Sequence, residues 1–301
     1  MHLSAIVPAT DAPADLERCI EAIRSSEEPP DEVIVVDDAP GPGPAAARNA
    51  GAAQAKGDVL VFVDSDVLPH SDAFRRIRGA FRADPELAGV FGSYDDSPEA
   101  ADVVSGFRNL LHHFVHQHSA GEARTIWAGL GAVRRDVFAE AGGFDADRYT
   151  QSSIEDIELG VRLSASGARL RLDPTLQGTH LKRWTLAKMI QTDLYGRAIP
   201  WVALLARENA APTGLNLGWR HRLSAAASIV LVSSLATRRP RQAGVALGAL
   251  VALNASFYAL LLRRRGPAEA AVGVGLHALH HLTGACAVPL GLVAHARDRR
   301  T

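Results

Sequence analysis

The chain has 301 residues, 47% of them hydrophobic and 6% aromatic, and a formal net charge of −1. That length gives one large domain or two smaller ones, and the near-neutral balance argues against a protein built around a basic nucleic-acid face. Two cysteines, Cys19 and Cys286, are too few for a disulfide framework or a zinc knuckle and fit a reducing, cytosolic setting.

The N-terminus, Met1 to Pro8, lacks a basic region and a long apolar stretch, so it reads as a first strand and not as a signal peptide. Leu3–Val7 is apolar and ends at Pro8, and Asp15–Ser25 carries helical spacing through Leu16, Cys19, Ile20 and Ile23. Glu32–Val36 predicts a buried strand ending at Asp37 and Asp38. A compact Pro/Gly loop follows over Ala39–Pro44, then an alanine-rich helix over Ala45–Lys56. Val59–Val63 is a continuous apolar strand ending at Asp64; Phe74–Phe81 is helical, and Gly89–Gly92 is a short strand. Apolar strands alternating with helices predict a mostly parallel sheet sandwiched by helices. Ligands of such sheets sit beyond the carboxyl ends of the strands, which points to Pro8–Asp11, Asp37–Asp38 and Asp64–Asp66.

From about residue 220 the character changes. Leu223–Thr237, Ala243–Leu262 and Ala268–Ala296 are apolar runs bracketed by Arg220, Arg222, Arg238, Arg239, Arg241, Arg263–Arg265 and Arg297–Arg300. Apolar blocks with arginine at each boundary read as two or three membrane or interfacial helices, although the first run is short for a span of roughly 20 residues.

Asp64-Ser65-Asp66 closes a strand, where residues i and i+2 point to one side. Two adjacent carboxylates repel unless a cation sits between them; Mg²⁺ or Mn²⁺ would also neutralise a diphosphate. The competing reading is a turn using Asp and Ser as backbone mimics. Asp38 is placed to accept hydrogen bonds from a base or ribose. Ser152 to Glu155 fits a capping box opening a helix over Ile154–Ser166. Asp156, not needed for the cap, is then an ionised carboxylate favoured by the helix dipole, as a general base requires. His180, after a strand-like Arg169–Leu172, is a candidate ligand for a Mn²⁺-type ion. Lys182, Arg183 and Arg48 are candidate phosphate partners. His112 and His116, one helical turn apart, read as a polar helix face or an acceptor-side feature. His277 and His281 share that spacing in an apolar run.

These pieces, in order, resemble the family 2 glycosyltransferases. The matching stretches are Ala5–Pro8, Glu32–Asp38, Ala47–Gly51, Gly57–Asp66, Trp127–Gly131, Gly142–Asp145 and Ile154–Arg162, so the likeness covers about residues 3–205. The resemblance implies a glycosyltransferase A fold over 1–205; the apolar, arginine-flanked runs beyond it read as an interfacial connector (206–222) and C-terminal membrane helices (223–301). It implies an inverting, metal-dependent transfer from a UDP- or GDP-sugar to a lipid-linked or glycan acceptor, at the inner membrane with the catalytic domain cytoplasmic. Carried over residue by residue, Pro8, Asp11, Asp38, Arg48, Asp64, Ser65 and Asp66 would bind the donor, and Asp66 and His180 the metal. Gly129, Leu130, Gly131, Glu155, Arg183 and Trp184 would lie on the acceptor side, and Asp156 would be the catalytic base. Ala9-Thr10-Asp11 and Ala39–Pro44 depart from the family's usual sequences, and the glutamine that precedes Arg-Trp in processive members is absent. Two other readings compete: a nucleotidyltransferase, disfavoured because Ala9–Pro13 has no glycine, and a non-catalytic membrane scaffold.

Overall fold

The computed structural model describes residues 1–9, 13–208 and 218–299. The chain divides into two units, residues 1–99 with 116–182, and residues 100–115 with 183–301.

The first unit is built on one sheet. Strands β1 (Leu3–Pro8), β2 (Glu32–Val36), β3 (Val59–Val63), β4 (Val67–Pro69), β5 (Leu87–Tyr94), β6 (Gly121–Ala123), β7 (Leu130–Arg134) and β8 (Arg169–His180) order as β2-β1-β3-β7-β5-β8-β4, with β6 pairing β8. The parallel expectation holds for β1, β2 and β3. Beyond β3 the sheet is mixed: β7 runs antiparallel to both neighbours, β5 and β8 pair in parallel, and β4 returns antiparallel along β8. β2 is an edge strand and only half-buried, not the buried strand that its apolar run suggests.

Alternation along the strands splits the core in two. Leu3, Ala5, Val7, Val59, Val61 and Val63 face helices α1 (Pro13–Arg24) and α3 (Ala73–Ala83) through Cys19, Ile23, Phe74 and Ile77. Ile6, Leu60 and Phe62 face α2 (Gly43–Gln54), α5 (Arg135–Glu140) and α6 (Glu155–Ala165) through Ala47, Phe138, Leu159 and Leu163. The Pro/Gly loop ends at Pro42, and Gly43, at φ +85°, begins α2. Directions in this sheet bring the carboxyl ends of β1, β2, β3, β5 and β8 to the same edge as the amino ends of β4 and β7.

The second unit is helical: α4 (Val103–Gln117, its last two residues in the first unit), α7 (Leu186–Gln191), a π-helical stretch (Thr192–Ala198), α8 (Ile199–Glu208), α9 (Trp219–Ala236), α10 (Pro240–Leu253) and α11 (Ala255–Asp298). Residues 100–115 and 183–205, which sequence assigns to the catalytic domain, belong to this unit. Phe107, Leu110, Phe114, Trp184, Met189, Phe257, Leu261 and Leu276 form its core. Within it Arg108 and His280 both hold the buried Asp193, the histidine Nδ1 at 2.8 Å. The apolar run Ala243–Leu262 is not one helix. It breaks at Asn254 (φ −123°, ψ 22°), whose amide nitrogen donates to Ser224 Oγ and the Leu250 carbonyl, each at 2.9 Å. α11 is itself interrupted at Gly266 (φ +80°, ψ 174°).

Gly160 fixes how close α6 comes to the loop between β6 and β7: a Cβ there would lie 2.3 Å from the Ile126 amide nitrogen and 2.5 Å from Thr125 backbone. Because backbone cannot give way as a side chain can, Gly160→Ala is expected to destabilise the protein by about 2 kcal/mol, read as a lowered denaturation midpoint.

Candidate active site

The shared sheet edge collects the charged residues. β3 ends at Val63, and the chain turns at once, the Val67 amide donating to the Asp64 carbonyl at 3.0 Å. Extended alternation therefore stops before Asp66, and Asp64 and Asp66 acquire different partners instead of facing one another. Asp64 Oδ1 accepts from Arg48 Nη2 at 2.7 Å, and the other arm of that guanidinium, Nη1, donates to Glu155 Oε1 at 2.8 Å. Arg48 comes from the buried face of α2 and is 4% exposed. α2 lies close to the sheet because Gly51, one turn on, leaves no room for a Cβ beside Ile6. Burial would weaken the guanidinium's hold on its proton, but Asp64, Glu155 and Asp156 outweigh it and keep Arg48 cationic.

Asp66 lies against His180 and Lys182, its Oδ2 3.8 Å from Nε2 and 3.4 Å from Nζ. The Leu181 amide donates to the Asp66 carbonyl at 2.9 Å, so β8 brings both partners by pairing beside β4. Burial alone would raise the Asp66 carboxyl; His180 and Lys182 reverse this and hold it at about 2. Ser65 between the two acids is buried.

Asp156 occupies the first turn of α6. Its Oδ2 accepts from the Ala128 amide at 3.1 Å and its Oδ1 from the Ile157 amide at 2.8 Å. The dipole does not keep it as acidic as the sequence suggests. Packing of protein around the carboxyl, then the neighbouring Glu155, push it up to about 6, against the pull of Arg48 and two amides. The expected capping box from Ser152 to Glu155 is not formed: the helix starts later, with Ile154 as N-cap and no side-chain cap bond, and Glu155 Oε2 accepts from the Ser153 amide at 2.8 Å. The loop over Trp127–Gly131 doubles back on itself. A Cβ at Gly129 would fall 2.3 Å from the Trp127 indole, and one at Gly131 2.3 Å from the Trp127 carbonyl. Leu130, fully buried, starts β7 there.

Pro8 closes β1 at the same edge, and Asp38 lies exposed just beyond β2. Asp11 lies outside the described residues. Arg183 and Trp184 are part of the second unit, where Trp184 is buried under the Arg108 guanidinium and Arg183 stands 3.9 Å from Asp102. His116 is a packing residue of the first unit, its Nδ1 donating to the Gly92 carbonyl at 2.8 Å. Sequence reasoning missed Tyr94, which stacks on His180; ending the strand at Gly92 hid it, whereas β5 runs two residues further.

Among the described residues no three His, Cys, Asp or Glu side chains form a complete metal-binding group. Asp66 and His180 nevertheless suit a hard or borderline divalent cation that takes its remaining ligands from phosphate oxygens and water, and Lys182 already supplies positive charge to the same carboxylate.

Residues 39–142 match the family model described as glycosyl transferase family 2. The chain is 31% identical over 190 residues to the pre-mycofactocin glycosyltransferase of Mycobacterium tuberculosis, covering 58% of this chain and 38% of that protein. It is 26% identical over 147 residues to the probable glycosyltransferase YdaM of Bacillus subtilis, covering 44% of this chain and 32% of that one. The chain thus spans less than half the length of these curated relatives. Its fold is similar to that of the mannosyltransferase PcManGT from Pyrobaculum calidifontis, solved in complex with GDP-Man and Mn²⁺. The TM-score is 0.54 at 17% identity, over 99% of this chain and 87% of that one.

Replacing Arg48 by Met leaves Glu155 and Asp64 without their shared cation in a buried setting. A loss of about 3 kcal/mol in stability is expected, measured as a shift in denaturation midpoint that Arg48→Lys only partly restores.

Proposed function

We propose that this chain, which belongs to the family 2 glycosyltransferases, transfers a hexose with inversion from a nucleoside-diphosphate sugar to an acceptor hydroxyl at a membrane. The observation that carries the reading is the double bridge of Arg48. It joins Asp64, in the acidic motif after β3, to Glu155, the immediate neighbour of Asp156. Donor-side and proton-accepting groups are thereby held as one charged assembly at the edge where such sheets bind ligands.

In this reading Asp66 and His180 hold a divalent cation, Mn²⁺ or Mg²⁺, whose charge offsets that of the diphosphate; the structural neighbour was solved with Mn²⁺. Lys182 adds a cation on the same side. Pro8, Asp38 and Ser65 line the nucleotide end, with UDP or GDP as the nucleotide. Asp156 removes the acceptor proton. A carboxylate held at about 6 is a better base than an ordinary aspartate, and it remains mostly ionised at neutral pH. Trp127–Gly131 shapes the acceptor side, with Arg183 and Trp184 assigned there by family likeness.

The membrane part of the proposal rests on aliphatic side chains left exposed on three helices, of which α9 is inside out. α9 buries Ser224, Ser228 and Ser234 and exposes Leu223, Ile229, Val230, Val232 and Leu235. α10 exposes Val245, Leu247 and Val251, and α11 exposes Leu262, Val272, Val288, Leu290, Leu292 and Val293. Water drives side chains the other way. Lipid is the surrounding in which small and polar residues belong at helix contacts and branched aliphatics outside. α11 contains an 18-residue window of mean hydropathy 1.3. α9, with 18 residues, is about 27 Å long, close to the hydrocarbon thickness. A membrane-seated enzyme suits a lipid-linked acceptor, such as a polyprenyl phosphate or glycolipid, with the sheet unit on the cytoplasmic side.

Asp66→Ala, Asp156→Asn or chelation of divalent cations is expected to abolish transfer in a donor screen with UDP- and GDP-sugars while the protein stays folded; unchanged turnover of Asp156→Asn would remove the base assignment. Because Asp156 works ionised, transfer should rise about tenfold per pH unit below about 6 and level off above it. The stability sign is opposite. The folded state raises this carboxyl, so ionising it costs stability, a cost absent below about pH 4 and complete above about 6. Asp156→Asn should therefore gain roughly 3 kcal/mol at pH 8 and nothing at pH 4, measured by denaturation at both values. Carbonate washing of membranes should leave the full chain in the pellet; release to the supernatant would refute the lipid-facing reading of α9, α10 and α11.

A further inference from the structure

His180 is held at the sheet edge without a hydrogen bond to fix its ring. Among the described residues its nearest polar partner is the Asp66 carboxylate, 3.8 Å from Nε2, beyond hydrogen-bond length. What fixes the imidazole plane is stacking: the Tyr94 ring lies parallel to it, centroids 4.1 Å apart and planes within 13°. Tyr94 is fixed in turn by the Trp127 indole, which meets it edge to face at 4.8 Å and 81°. Behind Trp127 stands His116, at 5.7 Å and 88°, itself tied to the Gly92 carbonyl. The four rings thus form a row that ends on a hydrogen-bonded histidine.

The backbone supports the same grip from the other face. β5 pairs β8 with Tyr94 opposite Gly178, and the Asp95 amide donates to the Gly178 carbonyl at 3.0 Å. The Asp95 carboxylate accepts from Thr179 Oγ1 and meets His70 Nε2 at 3.1 Å. The last residue of β5 and the one that follows it therefore hold successive residues of β8: Tyr94 stacks on His180, and Asp95 accepts from Thr179.

We propose that Tyr94 is a positioning residue for the cation-binding pair, orienting His180 by stacking so that its Nε2 and the Asp66 carboxylate face one shared position. The inference rests on the assignment of Asp66 and His180 as ligands. It also couples that pair to the acceptor loop, because Trp127 directly precedes Ala128, whose amide holds Asp156. Tyr94 touches no reacting atom in this account. It acts through the ring it stacks on.

The test measures Mn²⁺ binding by the purified full chain, by electron paramagnetic resonance with UDP or GDP present, independently of turnover. Tyr94→Leu should weaken Mn²⁺ binding by about five- to tenfold, the scale of one lost aromatic contact, while Tyr94→Phe stays within about twofold of wild type. In a His180→Ala background Tyr94→Leu should add nothing, because the stacked partner is gone. If Tyr94→Leu does not fold, Tyr94→Met, which fills the space without a ring, carries the same expectation. Wild-type affinity in the folded Leu or Met variant, or full additivity with His180→Ala, overturns the role of Tyr94 alone. Failure of the wild-type chain to bind Mn²⁺ with either nucleotide overturns the ligand assignment of Asp66 and His180, and this inference with it.

Discussion

The site depends on one buried cation. Asp64, Glu155 and Asp156 come from segments far apart in sequence, and gathering three carboxylates at a strand edge costs Coulomb energy in a medium less polar than water. Arg48 offsets it from the middle of the three, with both guanidinium arms occupied. It reaches that place because α2 lies flush against the sheet, and α2 lies flush because the residue one turn later is Gly51. A glycine that touches no charge thus sets the distance over which the charges act. The geometry also places a full positive charge near Asp156, which Arg48 pulls toward the ionised form against burial and Glu155.

Two aspartates on the same edge are driven to opposite ends of the carboxylate range. Asp66, with an imidazole and an ammonium beside it, sits at about 2; Asp156, hemmed in by protein and next to Glu155, sits at about 6. The difference arises from neighbours, not residue type, and it matches the division of work proposed for the two residues. A group that must stay anionic under all conditions suits a cation, whereas one that must gain a proton suits an acceptor hydroxyl.

Much of this was legible in the sequence, and the failures have physical reasons. Buried strands such as Val59–Val63 announce themselves through continuous apolar runs, and their ends located the acids. The order of the sheet was less accessible, because an antiparallel insertion such as β7 has the same apolar signature as a parallel strand. Side-chain direction at Asp66 was misread because two-residue alternation was carried one step past the strand, into a turn. The upward shift of Asp156 was not foreseen because a helix dipole can be inferred from spacing, whereas the closeness of surrounding protein cannot. Tyr94 was missed because its partner His180 is 86 positions away, and no local pattern marks a ring that stacks on a distant one. In the helical unit the run Ala243–Leu262 concealed a break. Asn254 looked like one polar residue among many apolar ones, but it caps two helices and satisfies its amide on Ser224 and Leu250.

The inside-out arrangement of α9 has a consequence for how this sequence can vary. A packed interior demands matched shapes, whereas a fluid solvent of hydrocarbon chains asks only that what it touches be apolar. On the proposed lipid-facing reading, exchange among Leu, Ile and Val at 223, 229, 230, 232 and 235 would be nearly silent. Ser224, Ser228 and Asn254 must fit each other, and they are free to change only together. Along α9 the hydrophobic residues would then form the permissive surface, and the small polar ones would carry the specification of its packing.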